Sequence, residues 1–183
     1  LLTASENAAH RALARLQVAL ADAGGRLTLV TQNVDDLHER AGAADVIHMH
    51  GELLRALCAT CGWRGVWRQD ITRADPCPAC GPDGVLRPDV VWFGETPYRM
   101  EDIEAALLGA DLFVSIGTSG SVYPAAGWVM LAREHGVATL ELNLEPSDNA
   151  SAFDGGRYGV ASEVVPAWVE DVVAGLRGYS SRS

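Results

Sequence analysis

Four cysteines occupy this 183-residue chain, arranged as two Cys-x2-Cys pairs: Cys58 with Cys61, and Cys77 with Cys80. Residues 62–76 separate the pairs. Two thiolates three positions apart on a turn face a single ion, and two such knuckles complete a tetrahedron around Zn2+. Gly62, Pro76, Pro78 and Gly81 supply the tight turns that knuckles need. Disulfides and redox chemistry are the competing uses, but a single redox pair does not account for two knuckles. A site of four thiolates is closed to further ligands, so its zinc is expected to be structural. The paired spacing also favours a reducing cytoplasm over an oxidising compartment. Cysteine is confined to 58–80, where the apolar periodicity fades, and an inserted module is expected over 57–86.

Around that module, strand-like and helix-like segments alternate. Asn7 to Ala21 reads as a helix, with Leu13, Leu16, Gln17 and Leu20 on one face and Gly24-Gly25 ending it. Leu27–Val30, Val46–Met49, Asp111–Ile116 and Thr139–Leu142 read as short strands, and Val90–Phe93 as a buried strand or extended segment. Thr31–Ala41 turns into a short helix, and Met100–Gly109 and Pro124–His135 read as longer ones. Glu163–Val165 suggests a further strand, followed by a helix over Pro166–Leu176 with proline in its first turn. Alternation at this spacing implies an α/β fold with a parallel sheet covered on both faces. Ligands of such sheets sit beyond the carboxyl ends of the strands. The polar clusters Thr31-Gln32-Asn33, Gly117-Thr118-Ser119 and Asn143-Leu144-Glu145 each follow an apolar strand directly, so together they define one candidate cleft.

With 48% hydrophobic residues, the chain is long enough for one core and a small satellite. Its formal net charge of −10 opposes broad nucleic-acid binding, which needs a basic face, and favours cationic, lysine-rich partners. No apolar run reaches the roughly 18–20 residues needed to span a bilayer. Leu1 to Asn7 carries no basic region followed by an apolar stretch, so no secretory signal is expected from it.

His48 and His50 close a strand, and two positions apart they are expected to face the same side. Taken singly, each reads more readily as structural than as catalytic, although imidazole is the best general base near neutral pH. His38 reads as a packing or hydrogen-bonding residue, and His10 and His135 as helix-surface residues. The amides and carboxylates of Thr31-Gln32-Asn33-Val34-Asp35-Asp36 suit ribose hydroxyls and a carboxamide as well as they suit helix caps. Gly117-Thr118-Ser119-Gly120 allows close approach to a phosphate or ribose, with a plain turn as the simpler reading.

Together these runs resemble one family. Thr31-Gln32-Asn33-Val34-Asp35-Asp36-Leu37-His38-Glu39-Arg40-Ala41-Gly42 is similar to the sirtuin signature. It is followed in family order by His48-Met49-His50-Gly51-Glu52, the two cysteine pairs, and Leu86-Arg87-Pro88-Asp89-Val90-Val91-Trp92-Phe93-Gly94-Glu95. Ile116-Gly117-Thr118-Ser119, Val122-Tyr123-Pro124-Ala125-Ala126-Gly127 and Glu141-Leu142-Asn143 complete the series. The resemblance covers nearly the whole chain, and its details look most like the bacterial, CobB-type branch, which includes desuccinylases.

The resemblance implies a Rossmann-like NAD-binding domain over 1–56 and 87–183, with the zinc module at 57–86. It implies an NAD-dependent protein-lysine deacylase that transfers the acyl group of an acyl-lysine to ADP-ribose and releases nicotinamide. On this reading His50 is the general base, Asn33 and Asp35 orient the nicotinamide ribose and carboxamide, and Gln32 and Val34 border the cofactor. Gly117, Thr118 and Ser119 line the dinucleotide, Asn143, Leu144 and Glu145 meet the adenosine ribose, and Ala161 flanks adenine. The segments Val91-Trp92-Phe93-Gly94-Glu95 and Gly120-Ser121-Val122 take the substrate peptide between them through backbone hydrogen bonds. Neither nucleic acid nor membrane is an expected partner.

The family pattern also contains a strand, a Gly-Ala-Gly-x-Ser loop that holds the pyrophosphate, and an arginine-bearing cofactor loop, none of which appears in these residues. The 183 residues alone are therefore expected to be feeble or inactive, and a silent NAD-binding or zinc-stabilised interaction module is the alternative. A zinc-ribbon nucleic-acid binder is opposed by the charge. Desuccinylases of the family read the acyl carboxylate with a Tyr-x-x-Arg pair. Tyr179-Ser180-Ser181-Arg182 matches that spacing by chance in a polar tail, and Tyr98-Arg99 has the wrong spacing, so acyl preference stays open at this level.

Overall fold

The computed structural model describes residues 4–121 and 123–180, with side chains through 176. Helix α1 spans Ala8–Asp22. Asn7 caps it by accepting the N–H groups of Ala9 and His10, and the His10 ring reaches back to the Asn7 N–H. A histidine thus does the work usually given to Glu or Gln in a capping box. Strand β1 (Val30–Thr31) follows, then the single-turn helix α2 (Leu37–Arg40) and strand β2 (Ile47–His48), which pairs with β1 in parallel. The strand expected over Leu27–Val30 therefore starts later. Leu29 still packs in the core, but only two residues find a ladder partner.

The next unit is antiparallel, in the order β4-β3-β5, from β3 (Gly51–Cys58), β4 (Arg64–Val66) and β5 (Leu86–Val90). The proposed module at 57–86 thus leaves and rejoins the main fold through two paired strands. Of the buried strand or extended segment expected over Val90–Phe93, only Val90 lies in a strand, as the last residue of β5. The chain instead turns outward, leaving Trp92 57% exposed and Phe93 fully so.

Helix α3 (Met100–Leu108) leads into β6 (Leu112–Ile116), a 3-10 turn at Ala125–Gly127, and α4 (Trp128–Glu134). Strands β7 (Ala138–Asn143) and β8 (Gly155–Tyr158) complete a parallel sheet in the order β6-β7-β8. Strand β8 had no signal in the sequence, because Gly155-Gly156-Arg157-Tyr158 is exposed throughout and shows no apolar alternation. The parallel sheet is therefore in two pieces, β1-β2 and β6-β7-β8, and not one continuous ladder.

Helix α5 (Ala161–Ser180) begins five residues before the expected proline and absorbs the predicted Glu163–Val165 strand. Val165, Trp168, Val169 and Val173 form a buried stripe at helical spacing, and this burial outweighs the strand propensity of β-branched valine. Each such side chain contributes about 1.5–3 kcal/mol when fully buried. That margin also covers Pro166 in the second turn, which has no N–H to give the Ser162 carbonyl. The helix carries Tyr179 and Ser180 where a tail was expected, and Arg182 lies outside the described residues.

Alternate residues of the strands face different helices, as a two-faced sheet requires. Val114, Ile116, Leu140 and Leu142 pack with Ala9, Ala12, Leu13 and Leu16 of α1 and with the α5 stripe. Phe113 packs on the other side with Leu107 of α3 and Ala132 of α4. A third cluster, around Met49, Ile47 and Ile103, joins Val30 of β1 to Ala125 and Trp128, and so ties the two sheet pieces together.

Candidate active site and metal centre

The carboxyl ends of β1 and β2 lie side by side, and four consecutive carbonyls leaving β1 are all engaged from the β2–β3 segment. Thr31 accepts from the Met49 N–H at 3.1 Å, Gln32 from His50 Nδ1 at 3.0 Å, Asn33 from His48 Nδ1 at 3.3 Å, and Val34 from the Leu53 N–H at 2.8 Å. The stretch carrying Gln32, Asn33 and Val34 is thus held against the histidines along its length. Strand β2 ends at His48 and His50 sits in the following tight turn, yet both rings face this one stretch. A carbonyl can only accept, so His50 must donate from Nδ1. In the neutral ring that leaves Nε2 with the lone pair, the arrangement a general base needs. Asn33 is exposed, and Asp35 spends one carboxylate oxygen on the Leu37 N–H at 3.1 Å.

Gly51 makes the turn after His50 possible. Its φ is +82°, and a Cβ there would collide with the carbonyl of Asp89 on β5. The backbone of Val91 then donates to the His50 carbonyl at 2.9 Å, which joins the 91–95 segment directly to the histidine. Glu95 closes that segment. It accepts the Trp92 N–H at 3.0 Å and bonds Arg87 through both oxygens, at 2.9 and 3.2 Å. The Trp92 N–H and then Arg87 hold the Glu95 carboxyl below its usual range. Gly94, at φ +89°, turns the chain between them.

Parallel register places Ile116 beside Leu142 and Asn143 beside Tyr158, so Gly117, Asn143 and the start of α5 share one edge. Gly117 donates to Leu142 at 2.9 Å, and Asn143 Nδ2 donates to the Thr118 carbonyl at 2.7 Å, so these two strand ends are cross-tied. Asn143 Oδ1 accepts from the Leu144 N–H, while Leu144, Glu145, Ser119 and Ala161 are exposed along this edge. Gly120 abuts Asn149, and the Ser121 hydroxyl donates to Ser119 Oγ at 2.8 Å. Val122 lies outside the described residues. Exposed amides, hydroxyls and backbone groups at two adjacent strand edges suit the sugars and phosphates of a dinucleotide.

The four sulfurs lie within 4.8 Å of one another, with Cys58–Cys80 and Cys61–Cys77 at 3.7 Å. Four thiolates about 2.3 Å from a tetrahedral zinc are about 3.8 Å apart, whereas disulfide sulfurs lie about 2.05 Å apart. The cluster is positioned for zinc. Cys77 and Gly81 bond each other's backbones at 2.9 Å to close the second knuckle. Burial pushes the Cys58 thiol up, but the N–H groups of Cys61 and Thr60 outweigh it and bring it to about 6. Cys80, against Cys61, is pushed up to about 12. Four thiols crowded this way resist shedding all their protons unless a cation joins them. Gly84 packs against these sulfurs so closely that any side chain would strike Cys77 and Cys80, and nothing in the sequence flagged that role.

A second network was also invisible in the sequence. Asp89, with a side chain only 6% exposed, is paired with Arg64 of β4 and accepts the Tyr98 hydroxyl at 3.0 Å, while the Arg64 guanidinium sits 4.6 Å from the Tyr98 ring centre. Tyr98 in turn donates its N–H to Met49 at 2.8 Å, linking the zinc module to the histidine turn.

The sequence pattern of the Sir2 family matches residues 1–124. The NAD-dependent protein deacylase of Caulobacter vibrioides is 60% identical over 176 residues, covering 94% of this chain and 73% of that protein. That of Escherichia coli K12 is 55% identical over 174 residues, covering 95% of this chain and 61% of its own length. The chain thus spans between 61 and 73% of these two relatives. Among solved structures, a Sir2 homolog–NAD complex superposes with a TM-score of 0.83 at 35% identity, covering 95% of this chain and 67% of that one. A Sir2–p53 peptide–NAD+ complex does so at 0.75 and 26%, covering 94% and 71%. With a family pattern over more than half of its length and relatives at 55–60% identity, this chain belongs to the Sir2 family, alongside bacterial NAD-dependent protein deacylases.

Proposed function

We propose that this chain carries the catalytic histidine, the zinc module and much of the NAD-facing surface of a protein-lysine deacylase. The observation that carries the reading is the His50 ring, held through Nδ1 by Gln32 one residue from Asn33, with its backbone joined to Val91. Bound NAD supplies the ADP-ribose that receives the acyl group. His50 Nε2 takes a proton from a sugar hydroxyl. Asn33 and Asp35 orient the nicotinamide ribose, with Gln32 and Val34 beside them. Gly117, Thr118 and Ser119 flank the dinucleotide, Asn143, Leu144 and Glu145 meet the adenosine ribose, and Ala161 borders adenine.

The substrate is an acylated lysine presented on an extended peptide, seated between 91–95 and 120–122 by backbone bonding. Glu95, latched to Arg87, keeps the first of these walls in shape. Cys58, Cys61, Cys77 and Cys80 hold zinc away from the reacting atoms and act through the fold. Among the described residues no helix is long and apolar enough to cross a membrane. Four cysteines grouped for one metal ion suit a reducing compartment, and on that ground we assign the chain to the cytoplasm. The test is nicotinamide release from NAD in the presence of acetyl-lysine or succinyl-lysine peptides. Release that requires the acyl-peptide, however slow, supports the reading, and release that proceeds equally without the peptide overturns it.

A further inference from the structure

His48 differs from its catalytic neighbour in that both of its ring nitrogens meet acceptors. Nε2 lies 2.7 Å from Glu39 Oε1, and Nδ1 lies 3.3 Å from the carbonyl oxygen of Asn33. Neither a carboxylate nor a carbonyl can donate, so the two bonds coexist only when both nitrogens carry protons. The ring is 8% exposed and Glu39 reaches it from α2, 42% exposed. His38, next to Glu39 in sequence, and Asp35 are the other titratable groups close to this pair. His50 has a single acceptor partner, Gln32, among the described residues.

We propose that His48, as an imidazolium paired with Glu39, is a positioning residue that holds the Asn33 peptide and so aims its side chain at the bound nucleotide. Of the four carbonyl bonds that latch residues 31–34, two are made by backbone N–H groups and one by His50. His48 makes the one at Asn33. A neutral ring keeps only one of its two bonds. The short, charge-assisted bond to Glu39 is the stronger, so the ring would turn a lone pair toward the Asn33 carbonyl and the peptide would rotate away. Glu39, whose side chain bonds His48 and not Asn33, thereby acts on the cofactor side chain through His48. This rests on the deacylase reading, in which Asn33 faces the nicotinamide ribose.

The test begins with the whole chain labelled with 15N-histidine. Long-range 15N–1H spectra at neutral pH should show His48 protonated on both nitrogens, and the neutral form of His50 protonated on Nδ1. Glu39→Gln should reduce His48 to one ring proton and shift the Asn33 amide resonance. It should also raise the KM for NAD several-fold with a smaller change in kcat, and Glu39→Asp should restore most of both. A neutral His48 ring in the unaltered chain overturns the inference. So does a Glu39→Gln variant whose Asn33 resonance or NAD KM is unmoved. Nicotinamide release that does not depend on an acyl-peptide sinks the deacylase reading instead, and the ring spectra and the Asn33 resonance still decide whether Glu39 charges His48.

Discussion

His50 and Gln32 are joined by a 3.0 Å hydrogen bond in which only the imidazole can donate. The bond fixes which nitrogen keeps its lone pair, so the protein selects the tautomer before any substrate arrives. His50→Ala is expected to lower turnover by about 10²–10⁴-fold, the range for removing a positioned general base. The lost bond is worth only about 1 kcal/mol, so the fold should survive. Nicotinamide release beside a thermal melt checks both halves. A variant that melts early instead of losing turnover would assign His50 a structural role.

Zinc should be required for the antiparallel unit. Its strands are short, and the cysteine turns at the ends of β3 and before β5 have no apolar core of their own among the buried clusters. Structural zinc contributes on the order of 10 kcal/mol to small sites of this type. Cys58→Ser or Cys80→Ser, or a strong chelator, should release one zinc per chain and abolish cooperative melting. Protons compete for the same thiolates, so chelation should become easier as the pH falls. A metal-binding dye followed alongside circular dichroism measures both.

Asp89 and Asp102 separate burial from pairing. Both contact an arginine, but the Asp89 side chain is 6% exposed and that of Asp102 58%. Asp89→Asn should cost about 2 kcal/mol, because a buried hydrogen-bonded charge is replaced while Arg64 and Tyr98 stay in place. Asp102→Asn should cost no more than about 1 kcal/mol. Urea midpoints for the two variants give the comparison, and equal losses would contradict it.

Burial, and next the neighbouring His10, pull the His38 ring below its ordinary 6.5, and His38 Nδ1 is buried without a partner. A base with a depressed folded value is neutral in the native state. Its unfavourable contribution is therefore absent above about 6.5, where both states are neutral. It grows as the pH falls from there through the lower folded value. Part of the chain's stability should be lost across that window, and His38→Leu should reduce the loss while removing an unsatisfied nitrogen. Denaturant midpoints taken from neutral pH downward, with and without the substitution, test this. Parallel curves would rule it out.

Much of this protein was legible in one dimension. Helix α1, the Gly24-Gly25 stop, α3 and the cores of β6 and β7 follow the expected boundaries within a residue or two, because cap chemistry and apolar period act over a few neighbouring positions. The cysteine knuckles were readable for the same reason. Errors fell where local signals conflict or vanish. At Val164-Val165, strand propensity yields to a buried helical stripe, and at Gly155–Tyr158 an exposed strand is recruited by β7 without any pattern of its own.

The sequence by itself determined the chemistry available: four thiols at knuckle spacing, imidazoles at a strand end, amides and glycines after others. Tertiary structure alone decided which of these groups meet. Asn33 and His48 come together because β1 and β2 pair in parallel, and Arg64 and Asp89 because β4 and β5 both pair with β3, one on each side. Such pairings depend on the free energy of the whole packed core, and no window of neighbouring residues contains that information.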